Sequence, residues 1–525
     1  MAQPLNDITA KAQNYPAFLS IQRRKLSAVD GRTKVFFLVA AFILILMAAV
    51  YTVGYSTELG FTTPDATFGV LVLLLACQAL YLTVDALKSW MSRPEKRIIV
   101  FVLYSNYLWS LVPALAAVIT GKVEVFTFGY GIETWNFGLF LETVFFFIFI
   151  IVWKLIPAPR QSKPHIANIT DPVIAFIILV AVAGAILYFA LTGPWTGSGY
   201  EAAGDYVNSS LASEQVTKGG LQMTMYRSVI LPSLCILLFY LPKTYLSKWL
   251  RVTAGIILVY AAVDSFASFS RGAILFLAFI IGTCLIASGR AKVGLIWVAL
   301  GISITAIVSP ILVPLREGMA STYKGTPVLE KSIAVLQSRE SGDVGHGIAS
   351  WLTNYTIRLD TIQDGGILAA CTERASNYAG ITPYVGSLFG FMPRVLWPDK
   401  PLPLSSDGTV GMTPWYLVMA YRGEPWNNAS VSTSGVAFWQ FGWLGVVISA
   451  ILGAVCALWL GRFAFLQGPF GLLLFLSYCA ATHMRIPVAP DEFLLVATQV
   501  WLPICVGYGI FKLFLLPSVR KEIRL

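Results

Sequence analysis

The chain has 525 residues, of which 57% are hydrophobic and only 12% are charged, and its mean hydropathy is +0.72. An ordinary soluble domain carries about 25% charged residues, so this composition excludes a soluble protein and predicts one that crosses a membrane many times. We attribute the net charge of +10 to membrane orientation rather than to nucleic-acid binding. The seven cysteines form no CxxC pair and the three histidines lie far apart, so the sequence predicts no metal site and no cofactor.

About twelve apolar runs are long enough to cross a bilayer, and they make the predicted fold an all-α polytopic membrane protein. The predicted spans are 35–55, 66–87, 98–120, 137–157, 173–193, 228–242, 252–269, 272–289, 293–314, 437–461, 469–484 and 492–514. The chain then divides into a basic N-terminal segment (1–34), the first nine spans (35–314), a large loop (315–436), the last three spans (437–514) and a tail (515–525).

Orientation follows from the lysines and arginines. Most of the 37 lie on one side of the predicted bundle, in segments that include "QRRK" near the N-terminus and "RKEIRL" at the C-terminus. Because short cytoplasmic segments are enriched in these residues, we predict that both termini are cytoplasmic. The segment 194–227 and the loop 315–436 then lie outside.

The outer loop 315–436 is rich in Gly, Pro and aromatic residues, so we expect it to fold as a cap over the outer mouth of the bundle. Within it, "YAGITPYVGSLFGFMPRVLW" (378–397) is apolar but short, and it is interrupted by Gly and Pro. This pattern predicts a re-entrant or interfacial helix rather than a span.

Several arginines occur on the predicted outer side at the ends of apolar segments, where the orientation rule disfavours cations. Arginine binds phosphate through a planar fork of donors, so we interpret these residues as candidate anion ligands. Snorkelling of each side chain to lipid headgroups is the alternative. The arginines are Arg227, Arg271, Arg316, Arg358, Arg394, Arg422 and Arg485.

Arg271 has the strongest local pattern, because "SFSRGAILFLAF" places it at the predicted start of the eighth span, and the N-terminus of a helix favours an anion. Arg485 follows His483 in "ATHMRIPVAPDE", a pair suited to a phosphate or a sugar hydroxyl, with His483 as a proton acceptor or, alternatively, a helix cap. Glu142 and Asp264 lie inside predicted spans. We interpret them as structural partners of an arginine on a neighbouring helix, with proton coupling as the alternative.

Three stretches in a fixed order carry a resemblance to a known family. They are "FSRGAILFL" (269–277), then "MPRVLWPDKP" (392–401) within the large outer loop, then "STSGVAFWQFGWLGVVIS" (432–449). In this order and topology the chain resembles the bacterial Wzy-type polymerases of O-antigen and exopolysaccharide repeat units. The order of spans and loops is similar over most of the chain, whereas the motif residues themselves number about 40.

The resemblance implies a GT-C-like membrane glycosyltransferase of the bacterial inner membrane, with its active site facing the periplasm. Such an enzyme uses undecaprenyl-pyrophosphate-linked glycans as donor and acceptor, and it transfers the growing chain to the non-reducing end of a new lipid-linked unit. Neither a metal nor another cofactor is implied. The implied partners are membrane lipids and the chain-length regulator and flippase of the same pathway, without nucleic acid.

In that mechanism the arginines would stabilise the pyrophosphate leaving group. The candidates for the catalytic base are His483, Asp360, Asp399 and Glu424. Aromatic rings suited to stacking on sugars are Trp397, Trp415, Tyr416, Trp426 and Trp439, with packing in the loop or at the interface as the alternative. Two rival functions stay open: an O-antigen ligase, and a lipid-linked oligosaccharide flippase or other transporter, which would predict internal repeats and short outer loops.

Overall fold

The structure is a computed structural model that describes residues 61–62, 65–90, 92–120, 123–124, 131–157, 172–192, 226–242, 247–267, 271–301, 304, 361–392, 396–397, 399–407, 412–421, 431–482 and 484–515. All of them belong to one compact unit, Tyr51–Leu525. The predicted basic segment 1–34 and the predicted first span 35–55 lie outside the described residues. So do nearly all of segment 194–227 and of the tail.

The described residues are helical apart from one strand pair and the connecting turns. The helices are α1 (Ala66–Ser89), α2 (94–120), α3 (Ile132–Leu155), α4 (Pro172–Thr192), α5 (226–240), α6 (Lys248–Ala267), α7 (Arg271–Ala287), α8 (Ala291–Gly301), α9 (Thr361–Ala375), α10 (Thr382–Leu388), α11 (Pro414–Tyr421), α12 (Thr433–Phe465), α13 (Gly468–Ala481) and α14 (490–515). Strand β1 (Phe61–Thr62) pairs antiparallel with β2 (Val123–Glu124).

Three of these helices change their winding along their length. Helix α2 begins with a 3₁₀ turn (Pro94–Ile98), and a π-helical stretch (Leu103–Leu108) separates its two α-helical parts, Ile99–Val102 and Trp109–Thr120. Helix α5 is α-helical at Leu231–Cys235 and π-helical on both sides, at Tyr226–Ile230 and Ile236–Tyr240. Helix α14 is α-helical at Pro490–Val496 and Leu502–Ile510, and each part is followed by a π-helical stretch, Ala497–Trp501 and Phe511–Leu515. In α2 the π-helical stretch precedes Pro113, which lies inside the helix.

Eleven of these fourteen helices coincide, within a few residues and as far as they are described, with the second to the twelfth predicted spans, whereas α9, α10 and α11 lie in the predicted loop 315–436. By length and composition, four described helices can cross a membrane: Ala66–Ser89, Ile132–Leu155, Thr433–Phe465 and Pro490–Leu513. Many of their outward side chains are large and apolar, such as Leu73 (63% exposed) and Phe147 (61% exposed). Apolar side chains outside as well as inside a helix bundle are expected where lipid replaces water, so the protein is a helical membrane protein.

Aspartates at the two ends of α1 make polar contacts, with amide groups at one end of the α1–α3 pair and with lysines at the other. At one end, Asp65 accepts from the amide of Phe68 at 2.7 Å, and the Asn136 amide donates to its other oxygen at 2.9 Å. At the opposite end, Asp85 accepts from Lys96 Nζ at 2.5 Å and from Lys154 Nζ at 2.9 Å. The structure therefore gathers these basic residues, which were predicted to be cytoplasmic, at one end of the bundle.

Helix α12 is broken near its start. Phe441 has φ −141° and ψ 24°, and Gly442 has φ 60° and ψ −143°, a conformation that favours glycine. A Cβ added to Gly445 would lie 2.0 Å from the carbonyl oxygen of Ala437, although residues eight apart on a straight helix are about 12 Å apart. The short half, 433–440, therefore folds back against the long half, 443–465.

Part of the predicted cap is packed inside the bundle instead of covering it. Helix α9 lies against α3 and the start of α12, and it is buried along most of its length. A Cβ on Gly366 would lie 1.9 Å from the carbonyl oxygen of Thr134, and one on Gly138 would lie 2.2 Å from that of Ile362. These glycines bring the two backbones into contact. The helix is too polar and too short to look like a span in sequence.

The segment after α13 also differs from the prediction, which treated 469–484 as a span that ends at the outer surface. Helix α13 has 14 residues, about 21 Å, which is shorter than the hydrocarbon core of about 30 Å. The chain then continues through the interior, where Met484 and Ile486 are buried. The carbonyl of Ile486 accepts from Ser105 Oγ at 2.8 Å and from Asn106 Nδ2 at 2.6 Å. These bonds satisfy the non-helical backbone inside the bundle.

Candidate functional site

Many of the predicted site residues lie outside the described part of the chain. These are His483, Asp360, Glu424, Arg394, Arg358, Arg422, Arg316 and Trp426. For Arg271 and Arg227 the structure describes the backbone. Arg271 is the first described residue of α7. Arg227 lies in the first, π-helical turn of α5.

Arg485 is held by a carboxylate at the start of α14. Its Nη2 lies 2.6 Å from Glu492 Oε1, and its Nε donates to the carbonyl of Thr482 at 3.3 Å. The Arg485 side chain is 30% exposed, whereas that of Glu492 is 13% exposed. The guanidinium is thus oriented by one partner at the beginning of a helix while part of it faces outward.

The stretch 389–401 is held together by its own contacts. Lys400 Nζ donates to the carbonyls of Gly390, at 3.0 Å, and of Met392, just after α10. The ring of Trp397 meets that of Phe389 edge-on, with centroids 5.5 Å apart. A cation at the end of a helix neutralises unpaired carbonyls and the helix dipole, so Lys400 has a structural role, while Asp399 stays exposed.

The predicted aromatic platforms differ in their surroundings. Trp439 is 2% exposed and belongs to a small core with Leu368 and Val418. Trp415 is half-buried against this core. Both rings therefore pack in this small core, in agreement with the alternative to sugar stacking, while Trp397 and Tyr416 are half-buried and belong to neither core cluster.

A polar cluster that the sequence did not single out lies where α10, the break in α12 and the start of α14 meet. The Tyr384 hydroxyl donates to Gln440 Oε1 at 2.9 Å, and the Gln440 side chain also interacts with Asp491. Gln440 is 0% and Asp491 is 1% exposed. Burial, with a smaller contribution from the nearby Asp491 carboxyl, raises the pKa of Tyr384 above its ordinary value.

Backbone bonds tie the same place to the outer loop. The amides of Ala379 and Gly380 donate to the carbonyls of Trp439 and Gln440 at 3.0 and 2.9 Å. The break at 441–442 leaves these carbonyls without helical partners, so the segment before α10 completes the end of the short half of α12. We call the group Tyr384, Gln440, Arg485, Asp491 and Glu492 the outer polar cluster. Only Arg485 was predicted, because Asp491 and Glu492 look like ordinary first-turn acids.

Glu142 does not have the arginine partner that we predicted from the sequence, among the side chains that the structure describes. Its carboxylate interacts instead with the hydroxyls of Ser432 and Ser434 at the start of α12. The side chain of Asp264 lies outside the described part of the chain.

Within the described residues, no group of three or more His, Cys, Asp or Glu side chains is placed to hold a metal ion. Comparison of the chain with protein-family models, with curated proteins and with solved structures finds no match.

Proposed function

We propose that this protein polymerises undecaprenyl-pyrophosphate-linked oligosaccharide units at the periplasmic face of the bacterial inner membrane. It would cross the membrane about twelve times with both termini in the cytoplasm. The growing chain would leave its lipid pyrophosphate and be attacked by a hydroxyl at the non-reducing end of a new lipid-linked unit. Arginines on the outer side would stabilise the departing pyrophosphate.

The observation that carries the proposal is the contact between one motif stretch, 432–449, and the apolar segment 378–397, which leads into another, 392–401. The two segments are far apart in sequence. They are joined through Ala379, Gly380 and Tyr384 to Trp439 and Gln440. The resemblance is better supported when a motif stretch packs against the segment that leads into the next one.

The chemistry of Arg485 is consistent with the proposed role. Glu492 fixes the orientation of its guanidinium, and the side chain stays partly exposed. A preorganised cation stabilises developing charge without reorganising during the reaction. Arg485 lies on the same predicted outer side as Arg271 and Arg394, which is why we group these arginines in one function.

The decisive experiment is deletion of the gene in its host and complementation with variants. Loss of polymerisation predicts surface acceptors that carry single repeat units. Arg271→Ala and Arg394→Ala should fail to restore long chains, with rates lower by about 10²-fold or more. Arg374→Ala, an exposed arginine in the last turn of α9, is the matched control and should restore them.

The same experiment separates the rival functions. A ligase deletion would leave polymerised glycan on the lipid carrier and none on the surface acceptor. Normal chain lengths in the Arg271→Ala and Arg394→Ala strains would contradict the role of these arginines even if the deletion phenotype held.

A transporter of lipid-linked glycans is the second candidate, because transporters often place discontinuous helices near the middle of the membrane. Here the start of the short half of α12 and the non-helical segment 484–489 meet inside the bundle, where Thr433 Oγ1 donates to the carbonyl of Pro487 at 3.0 Å. Accumulation of lipid-linked units on the cytoplasmic face of the deletion strain would favour this function.

A further inference from the structure

Glu142 is an acid near the middle of the long helix α3. It is 1% exposed. The hydroxyls of Ser432 and Ser434, which interact with its carboxylate, lie 3.2 Å from each other. Ser432 caps the short half of α12 by accepting from the amide of Gly435 at 3.1 Å. The carboxylate therefore lies where a broken helix begins inside the bundle.

Two buried oxygens at this place lack partners. Within the described residues, neither Glu142 Oε2 nor the Tyr107 hydroxyl has a hydrogen bond. Tyr107 is 4% exposed, belongs to the π-helical stretch of α2 and interacts electrostatically with Glu142. Two unsatisfied oxygens of neighbouring side chains, both shielded from solvent, point to a ligand that both of them contact.

The surroundings make a bare carboxylate unfavourable. One turn after Glu142 in α3 the side chains are apolar: Phe145 and Phe146 are almost fully buried, and the ring of Phe146 packs on Tyr107 at 4.7 Å. An ion moved from water into such surroundings without compensation costs several kcal/mol. The negative charge of Glu142 therefore requires a positive charge or a proton.

The described side chains of the elements packed around α3 supply no cation for Glu142. Asp65 and Asp85 are charged groups at the two ends of α1, Lys96 and Lys154 pair with Asp85, Asp364 on α9 is another acid, and Arg485 pairs with Glu492. The stretch of α12 that faces this region, 433–461, has no charged residue. Tyr107 is the titratable group that faces the carboxylate.

We propose that Glu142, Tyr107, Ser432 and Ser434 bind one monovalent cation, a proton or a sodium ion. A single carboxylate balances one positive charge, and the carboxylate, phenol and hydroxyl oxygens are ligands of the kind that hard cations prefer. The three elements that supply these ligands are α3, the π-helical stretch of α2 and the short half of α12. The bound cation links them and stabilises the folded-back arrangement of α12.

The test is the melting temperature of the full chain in lipid nanodiscs, because a ligand that binds only the folded protein raises it with concentration. One arm replaces choline chloride by sodium chloride at constant ionic strength. The other lowers the pH in the absence of sodium. A sodium-dependent rise identifies sodium as the occupant, and a rise on acidification without a sodium effect identifies the proton.

Glu142→Gln removes the charge at constant shape, so its melting temperature should lose the dependence that the wild type shows. Ser434→Ala should shift the midpoint of the dependence to a higher cation concentration. Thr283→Ala is the matched control, because it removes a buried hydroxyl that donates to a carbonyl of its own helix. It should keep the wild-type dependence.

The proposal is overturned if the wild type responds in neither arm, or if Glu142→Gln keeps the wild-type response. Should Glu142→Gln fail to fold, Tyr107→Phe and Ser434→Ala decide the matter, since unchanged midpoints in both variants exclude the site. None of these measurements depends on the proposed polymerase activity.

Discussion

The break in α12 can be tested by replacing Gly442 with alanine. Gly442 has φ 60° and ψ −143°, a region that residues with a Cβ avoid at a cost of about 1–3 kcal/mol. The added Cβ would also lie 3.3 Å from Cε1 of Tyr378, which would have to move by a few tenths of an ångström. We therefore expect Gly442→Ala to lower the free energy of unfolding by about 2–3 kcal/mol.

A larger loss follows if the substitution straightens the break. The carbonyls of Trp439 and Gln440 would then lose the amides of Ala379 and Gly380, and each hydrogen bond contributes about 1 kcal/mol. The segment that leads to α10 would detach from α12. Under the proposed function, polymerisation would fall together with stability.

The assay is thermal or denaturant unfolding of the purified protein in nanodiscs, with Gly69→Ala as the matched control. Gly69 lies inside α1, and nothing lies within 4 Å of a Cβ added there. Alanine is favoured over glycine in a helix by about 1 kcal/mol, so the control should be neutral or stabilised. A Gly442→Ala variant as stable as the control would show that the chain does not turn back at this residue.

Three further predictions concern packing and the outer polar cluster. Gly366→Ala places a Cβ 1.9 Å from the carbonyl oxygen of Thr134, so α9 must move away from α3. We expect the free energy of unfolding to fall by about 2 kcal/mol or more, and a variant with wild-type stability would contradict the close packing of the two helices. Arg485→Ala leaves the buried carboxylate of Glu492 without its partner, and we expect a loss of about 1–2 kcal/mol after allowing for the exposure of Arg485. The double variant with Glu492→Ala should recover part of that stability but not polymerisation, whereas recovery of both would make Arg485 purely structural. Tyr384→Phe removes the donor to a fully buried amide oxygen, so we expect a loss of about 1–2 kcal/mol, measured against Tyr416→Phe, which should change stability little.

Much of the helical architecture was predictable from the sequence because lipid imposes a simple rule on it. Apolar runs of about 20 residues mark the helices, and the helix start at Ala66 was predicted correctly. The predicted order of spans puts Lys96 and Lys154 on one side of the bundle, and the structure places both of them at Asp85. These features depend on neighbouring residues in the chain and on the solvent around it, so one sequence is enough to indicate them.

Two features of the interior depended on the tertiary structure. Helix α9 packs inside the bundle because Gly138 and Gly366 let its backbone contact that of α3. Its polar composition gives no indication of this position in the sequence. Segment 484–489 lies inside because side chains of the distant α2 satisfy its backbone.

The candidate sites show the same division between sequence and structure. A run of residues can indicate an outward arginine such as Arg485, but Glu492, its partner, and the group of Asp491 with Gln440 and Tyr384 are set by contacts between separate helices. Glu142 was identifiable as an acid within a span. Its neighbours Ser432, Ser434 and Tyr107 were not, because their proximity results from the packing of α2 and of the start of α12 against α3. The sequence by itself determined which long apolar runs form helices, and the packing of broken helices against one another decided which polar groups meet in the interior.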